Sequence, residues 1–145
     1  MLYTYVYKFL MTSLGLEDDA VLDDDVAERL RCYSSQLPPG WDLVYLGGIK
    51  MGKARRVASN VILPECYLCT HAYMLTPQGA RRLLTKLPIV GPVDHFMSEC
   101  FRDVNTFAFT PSIVQQPQHL RGCVESADSD VAHTLDRVTL AEGGD

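Results

Sequence analysis

No stretch of this chain is apolar enough for long enough to cross a membrane as a helix. Its aromatic-rich start, Met1 to Leu14, carries Lys8 in the middle. It has neither an unbroken run of about 18 apolar residues nor the basic start and small-residue cleavage site of a secretory signal. As written, nothing exports the chain, and the cytoplasm is its expected compartment. Basic charge is also scarce: 13 Lys and Arg stand against 18 Asp and Glu, for a net charge of −5. That argues against nucleic acid as a partner, because domains that grip a phosphate backbone present a net basic face. The five cysteines are an odd number in a chain of 145 residues, long enough to build a core without staples, so no disulfide framework is implied. Cys66 and Cys69 form a C-x-x-C but lack a second pair at zinc-finger spacing, and both read as small core residues. Internal repeats, low-complexity tracts and dividing linkers are absent too.

What is present describes an ordinary folded domain, with 47% apolar and 21% charged residues. The period of Met1 to Leu14 is ambiguous, since Tyr3, Tyr5 and Tyr7 suit a strand while Phe9, Leu10 and Leu14 suit a helix. Asp25 and Glu28 open a helix whose apolar face is Val26, Leu30, Tyr33 and Leu37, stopped by Pro38-Pro39-Gly40. Trp41 to Leu46 reads as a buried strand ended by Gly47-Gly48. Lys50, Lys53, Arg55 and Arg56 follow as a basic loop, either a solvated connection or a contact for the phosphates of a donor or an anionic acceptor. Tyr67 to Leu75 is extended. Thr76-Pro77 then caps a helix with Ala80, Leu83, Leu84 and Leu87 buried and Arg81, Arg82 and Lys86 outside. A second proline-initiated helix starts at Pro92, and Thr106 to Thr110 is a further strand. Strands alternating with helices at these spacings predict an α/β domain over residues 1–133, with a flexible tail over 134–145.

Chemistry concentrates in Leu16-Glu17-Asp18-Asp19-Ala20. On a strand, residues two apart point the same way, so Glu17 and Asp19 would share a face while Asp18 turns to the other. Like charges held so close repel, and a divalent cation completed by phosphate oxygens would offset that repulsion. The nearby Asp23, Asp24 and Asp25 read instead as helix capping and complement to the helix dipole. An EF-hand is excluded, because Leu22 stands where that loop needs glycine. His71, within the extended run, reads as a hydrogen-bonded core or cleft-edge histidine rather than a ligand.

Five segments in order carry a resemblance: Leu16 to Ala20; Trp41-Asp42-Leu43-Val44-Tyr45-Leu46-Gly47; Thr70-His71-Ala72-Tyr73 with Gly79-Ala80-Arg81-Arg82-Leu83-Leu84; Pro92-Val93-Asp94; and Phe109-Thr110-Pro111-Ser112-Ile113-Val114-Gln115. Together they resemble glycosyltransferase family 25, which holds lipooligosaccharide (lipopolysaccharide-type) galactosyltransferases and collagen galactosyltransferases. The resemblance implies a GT-A fold with a Rossmann-like mixed sheet flanked by helices, and a partial domain, since family members carry a longer stretch ahead of the acidic motif. It also implies inverting, metal-dependent transfer of galactose from a UDP-sugar donor to a glycan or protein hydroxyl. By position, Asp19 would ligate manganese with His119 as a second ligand, Glu17 and Asp18 would contact the donor, and Asp94 would serve as base on the acceptor hydroxyl. Ser126, Asp128 and Asp130 are weakly similar to an acidic stretch of collagen-type members. The alternative is a non-catalytic fragment or binding module that keeps the fold. Relatives in this family work at the cytoplasmic face of the membrane or in the endoplasmic reticulum lumen, and the latter would need an upstream signal.

Overall fold

Leu43, Val44 and Tyr45 are fully buried, and the sheet is built outward from them. They form β3 (Leu43–Tyr45), a continuous apolar run of the kind that lies between neighbours with both faces covered. The computed structural model describes residues 12–116. Within that range β1 (Ser13–Leu16), β3, β4 (Ile49–Ala58), β5 (Val61–Leu68), β6 (Ala72–Leu75) and β7 (Thr106–Phe109) make a six-stranded sheet in the order β1-β6-β3-β7-β5-β4. The sheet is mixed: β3 runs antiparallel to β6 and parallel to β7. A separate two-stranded ribbon joins β2 (Val21–Leu22) to β8 (Val114–Gln115).

Helices cover both faces, which makes the α/β class an observed feature of the chain. On one face Tyr33 of α1 (Val26–Ser34) packs with Val44, Leu46, Met74, Phe107 and Phe109. Its ring meets Phe109 edge-on at 5.4 Å, an arrangement worth about 0.5–1.5 kcal/mol beyond area burial. On the other face Met97 of α3 (Val93–Glu99) and Cys100 of the following 3-10 turn pack with Leu43, Tyr45, Tyr67 and Ala108. Between β6 and α3 runs α2 (Pro77–Leu84), started by Pro77 and by the Thr76 hydroxyl, which accepts the Gly79 N–H at 3.0 Å. Among the described residues no helix is long and apolar enough to cross a membrane.

Several expectations are corrected. The basic segment is not a loop: Lys50, Lys53, Arg55 and Arg56 lie in β4, an edge strand paired along its length with β5. Its alternation is hidden because an edge strand is solvated on both faces and because two register irregularities, between Met51 and Ala54 and between Arg56 and Ala58, shift the phase. The extended run is broken by a turn at Cys69–His71 between β5 and β6. Helix α1 ends at Ser34 rather than at Pro38, and Asp25, its N-cap residue, makes no side-chain capping bond. Leu84 and Leu87 are exposed, at 63% and 52%, although a buried face was expected. In this two-turn helix the inward stripe is Gly79, Arg82 and Leu83. A Cβ on Gly79 would lie 2.6 Å from the Asp42 carbonyl oxygen, and Arg82 pairs with the Asp42 carboxylate at 2.6 Å. That contact turns Leu84 outward. Met1 to Met11, His119, Cys123, Ser126, Asp128, Asp130 and the 134–145 tail lie outside the described residues.

Candidate functional site

Strand β1 ends at Leu16, immediately before the acidic residues, and this sets their geometry. Leu16 pairs with Ala72, and the next residue, Glu17, donates its N–H to the His71 carbonyl at 3.0 Å. The chain then turns, with the Ala20 N–H reaching the Glu17 carbonyl at 3.2 Å. Glu17 and Asp19 therefore do not alternate along a strand: Glu17 and Asp18 are exposed in the turn, and Asp19 is half-buried.

Each of the two outer carboxylates is met by a neutral donor from a different element. The Thr70 hydroxyl donates to Glu17 Oε1 at 2.6 Å. The Gln116 amide, from the far end of the described chain, donates through Nε2 to Asp19 Oδ2. Asp19 Oδ1 is buried and has no hydrogen-bond partner. Gln116 is delivered there by the ribbon, in which Val21 is opposite Gln115 and Leu22 opposite Val114. Arg29 fastens the same segment, donating to the Ser112 carbonyl at 2.9 Å and to Asp23 at 3.0 Å. Asp25 also lies 3.7 Å from that guanidinium, so the second acidic cluster is partly neutralised within α1 and its approach.

His71 and Gly47 pack together against the Val114 carbonyl. His71 is 2% exposed, its Nε2 lies 3.4 Å from the Val114 carbonyl, and its Nδ1 is buried without a partner. A Cβ on Gly47 would fall 2.1 Å from that carbonyl oxygen and 2.5 Å from His71 Nε2. Only glycine fits here, and the close approach lets Ile113 and Val114 bond the Leu46 carbonyl at 2.8 and 3.3 Å.

Asp94 sits in the first turn of α3, 8% exposed. Its Oδ1 accepts the His95 N–H at 2.8 Å and its Oδ2 the Cys69 N–H at 3.3 Å. Cys69 holds a left-handed φ of 70°, unusual for a residue with a side chain. Asp94 thus steadies the turn that delivers Thr70 to Glu17. Burial pushes the Tyr45 phenol well above its ordinary range, and the Asp94 carboxylate pushes it in the same direction. The thiols of Cys32, Cys66 and Cys100 are free.

The basic residues do not face the acidic turn. β4 is at the opposite edge of the sheet from β1, five strand spacings or roughly 24 Å away. A cation at the turn would find Asp19 Oδ1 without a partner, while Glu17 Oε1 and Asp19 Oδ2 each accept one hydrogen bond. Among the described residues no three His, Cys, Asp or Glu side chains come together as metal ligands. His119, the second ligand that the resemblance implies, lies outside the described residues. Reading the sequence missed Thr70 and Gln116 as partners of the motif. Nothing in the local sequence of Gln116 could have revealed it, because the contact spans 97 residues.

Two curated proteins are similar to this chain in sequence. "Probable inactive glycosyltransferase 25 family member 3" of Rattus norvegicus is 29% identical over 143 residues, covering 83% of this chain and 25% of the relative. "Inactive glycosyltransferase 25 family member 3" of Mus musculus is 27% identical over 143 residues, with 83% and 24% covered. The similarity is to glycosyltransferase family 25. No family model matches the chain. The chain spans about a quarter of the length of the curated relatives it matches, and both relatives are named inactive. The mixed six-stranded sheet flanked by helices is compatible with that family.

Proposed function

We propose that this chain is a non-catalytic binding module that keeps part of a glycosyltransferase fold of the GT-A type. The observation that carries the reading is the double engagement of the acidic turn by the protein's own neutral donors, Thr70 on Glu17 and Gln116 on Asp19. A transferase needs that turn open to a charged donor and to the ion beneath it. Here two of its carboxylate oxygens are committed within the fold, and the similar proteins carry the word inactive in their names.

One observation favours a second reading. Asp19 Oδ1 is buried and unpartnered, as an oxygen kept for a ligand would be. In that reading the chain transfers galactose from UDP-galactose to a glycan or protein hydroxyl with inversion, with manganese as its cofactor. Glu17 and Asp18 contact the donor, and Asp94 takes the acceptor proton. Against it, both Asp94 oxygens already accept backbone N–H groups.

Release of UDP from UDP-galactose, measured with manganese and with a panel of hydroxyl acceptors, decides between the two. The module reading expects no release above buffer and no difference between the natural protein and Asp19→Asn. Turnover that disappears in Asp19→Asn overturns it in favour of transfer.

A further inference from the structure

The Gln116 contact goes beyond the loss of transfer, because it says how the acidic turn is kept folded. Three adjacent acidic side chains, Glu17, Asp18 and Asp19, occupy one turn, and their mutual repulsion must be offset by something. Among the described residues no lysine or arginine forms an ion pair with them, since the ion pairs there belong to Arg29, Arg82 and Lys86 with other carboxylates. The offset comes from oriented neutral dipoles: the Thr70 hydroxyl, the Gln116 amide and the backbone bonds that close the turn. Hydrogen bonds to ionised acceptors are about twice as strong as neutral ones, so these donors suit the task.

From this geometry we infer that Gln116 is the positioning residue that makes the acidic turn independent of a divalent cation. Its amide donates to Asp19 Oδ2, and a cation that drew this oxygen away would strand the amide in a half-buried site without its acceptor. The β2–β8 ribbon and the Arg29 bond to Ser112 fix the backbone on either side of the contact, so Gln116 is held to its place by the fold. The inference rests on the module reading and adds to it the residue responsible.

Gln116→Glu in the full chain tests this, because it replaces the amide donor by a second carboxylate facing Asp19. Without divalent ions its thermal midpoint should fall by about 3–6 °C. Millimolar manganese should restore it while leaving the natural protein unmoved. Loss of the free-manganese resonance signal should accompany that recovery and vanish in Asp19→Asn combined with Gln116→Glu. The inference is overturned if the natural protein binds manganese as tightly as Gln116→Glu, or if Gln116→Glu is neither weakened nor responsive to the ion. Should Gln116→Glu not fold, Gln116→Ala should raise hydrogen exchange at Glu17 to Ala20 about five- to tenfold, and unchanged exchange overturns the inference. UDP release by the natural protein would sink the module reading instead, so the two failures are separable.

Discussion

Two carboxylates, one just before β3 and one just after β1, are held in opposite ways. Asp42, immediately before β3, is 2% exposed and meets a full positive charge: Arg82 Nη1 lies 2.6 Å from its Oδ2, and the Asn105 N–H reaches the same oxygen at 2.9 Å. Its backbone is used as well, with the Thr76 N–H on its carbonyl at 2.9 Å and its own N–H on the Asn105 carbonyl at 2.9 Å. Asp19 is half-buried and meets an amide. The first arrangement joins β3, α2 and the approach to β7, and closes the charge inside the molecule. The second holds a turn in shape while leaving its negative charge unneutralised at the surface. Charge pairing marks the staple of the fold here, and neutral hydrogen bonding marks the acidic turn.

Removing the staple should have the largest effect. Asp42→Ala leaves the Asn105 N–H without its acceptor and Arg82 with only the Asp103 carbonyl, and should cost about 3 kcal/mol. Because the Arg82 side chain is 39% exposed it can regain water, which keeps the loss at the low end for a broken buried pair. Denaturant unfolding checks it, and a loss below that of Thr70→Val would reverse the proposed ranking of the two sites. Thr70→Val removes only the hydroxyl that donates to Glu17 at 2.6 Å and keeps nearly the same shape. With Glu17 exposed, the expected cost is about 1 kcal/mol. It should be accompanied by faster amide exchange confined to the acidic turn, since Asp94 and Cys69 still hold the backbone that carries Thr70.

How far the sequence shows this contrast depends on the separation of the partners. The apolar run of β3, the apolar residues Phe107, Ala108 and Phe109 of β7 and the Thr76-Pro77 start of α2 are local signals, and the α/β class follows from them. The Asp42 staple hides in two of the family-like segments: Asp42 and Gly79 with Arg82 look like surface polarity and a helix interior until the 40-residue separation between Asp42 and Arg82 is closed. An amphipathic reading of α2 puts Arg82 outside because periodicity cannot see a buried acid waiting for it. The acidic motif is legible as a cluster, but its conformation turns on where β1 ends, and one residue decides between a shared strand face and a turn. Gln116 lies beyond any local rule. The cations of β4 look like a loop because an edge strand exposes both faces, and the same charges protect that edge from pairing with other chains.

A third carboxylate separates the effect of the partner's charge from the effect of burial. Asp103 pairs with Lys86 at 2.5 Å, but both side chains are open to solvent, 55% and 40% exposed. The Lys86 hydrogen bond, followed by its charge, holds the Asp103 carboxyl below its ordinary range, and the same bond raises Lys86. A lowered acid adds stability that is present above its unfolded value near 3.9 and is lost as pH falls through the lowered one. A raised base adds stability that is present below about 10.4 and is lost as pH rises through the raised one. The midpoint difference between the natural protein and Lys86→Met should therefore be level from about pH 5 to pH 9 and shrink toward both extremes. It should also shrink as salt is added, because exposed pairs are screened. If this difference equals that of Asp42→Ala, a cationic partner alone would explain the staple. A much smaller one, which water around both charges leads us to expect, assigns the strength of Asp42 to its enclosure and to the Asn105 N–H that shares its oxygen.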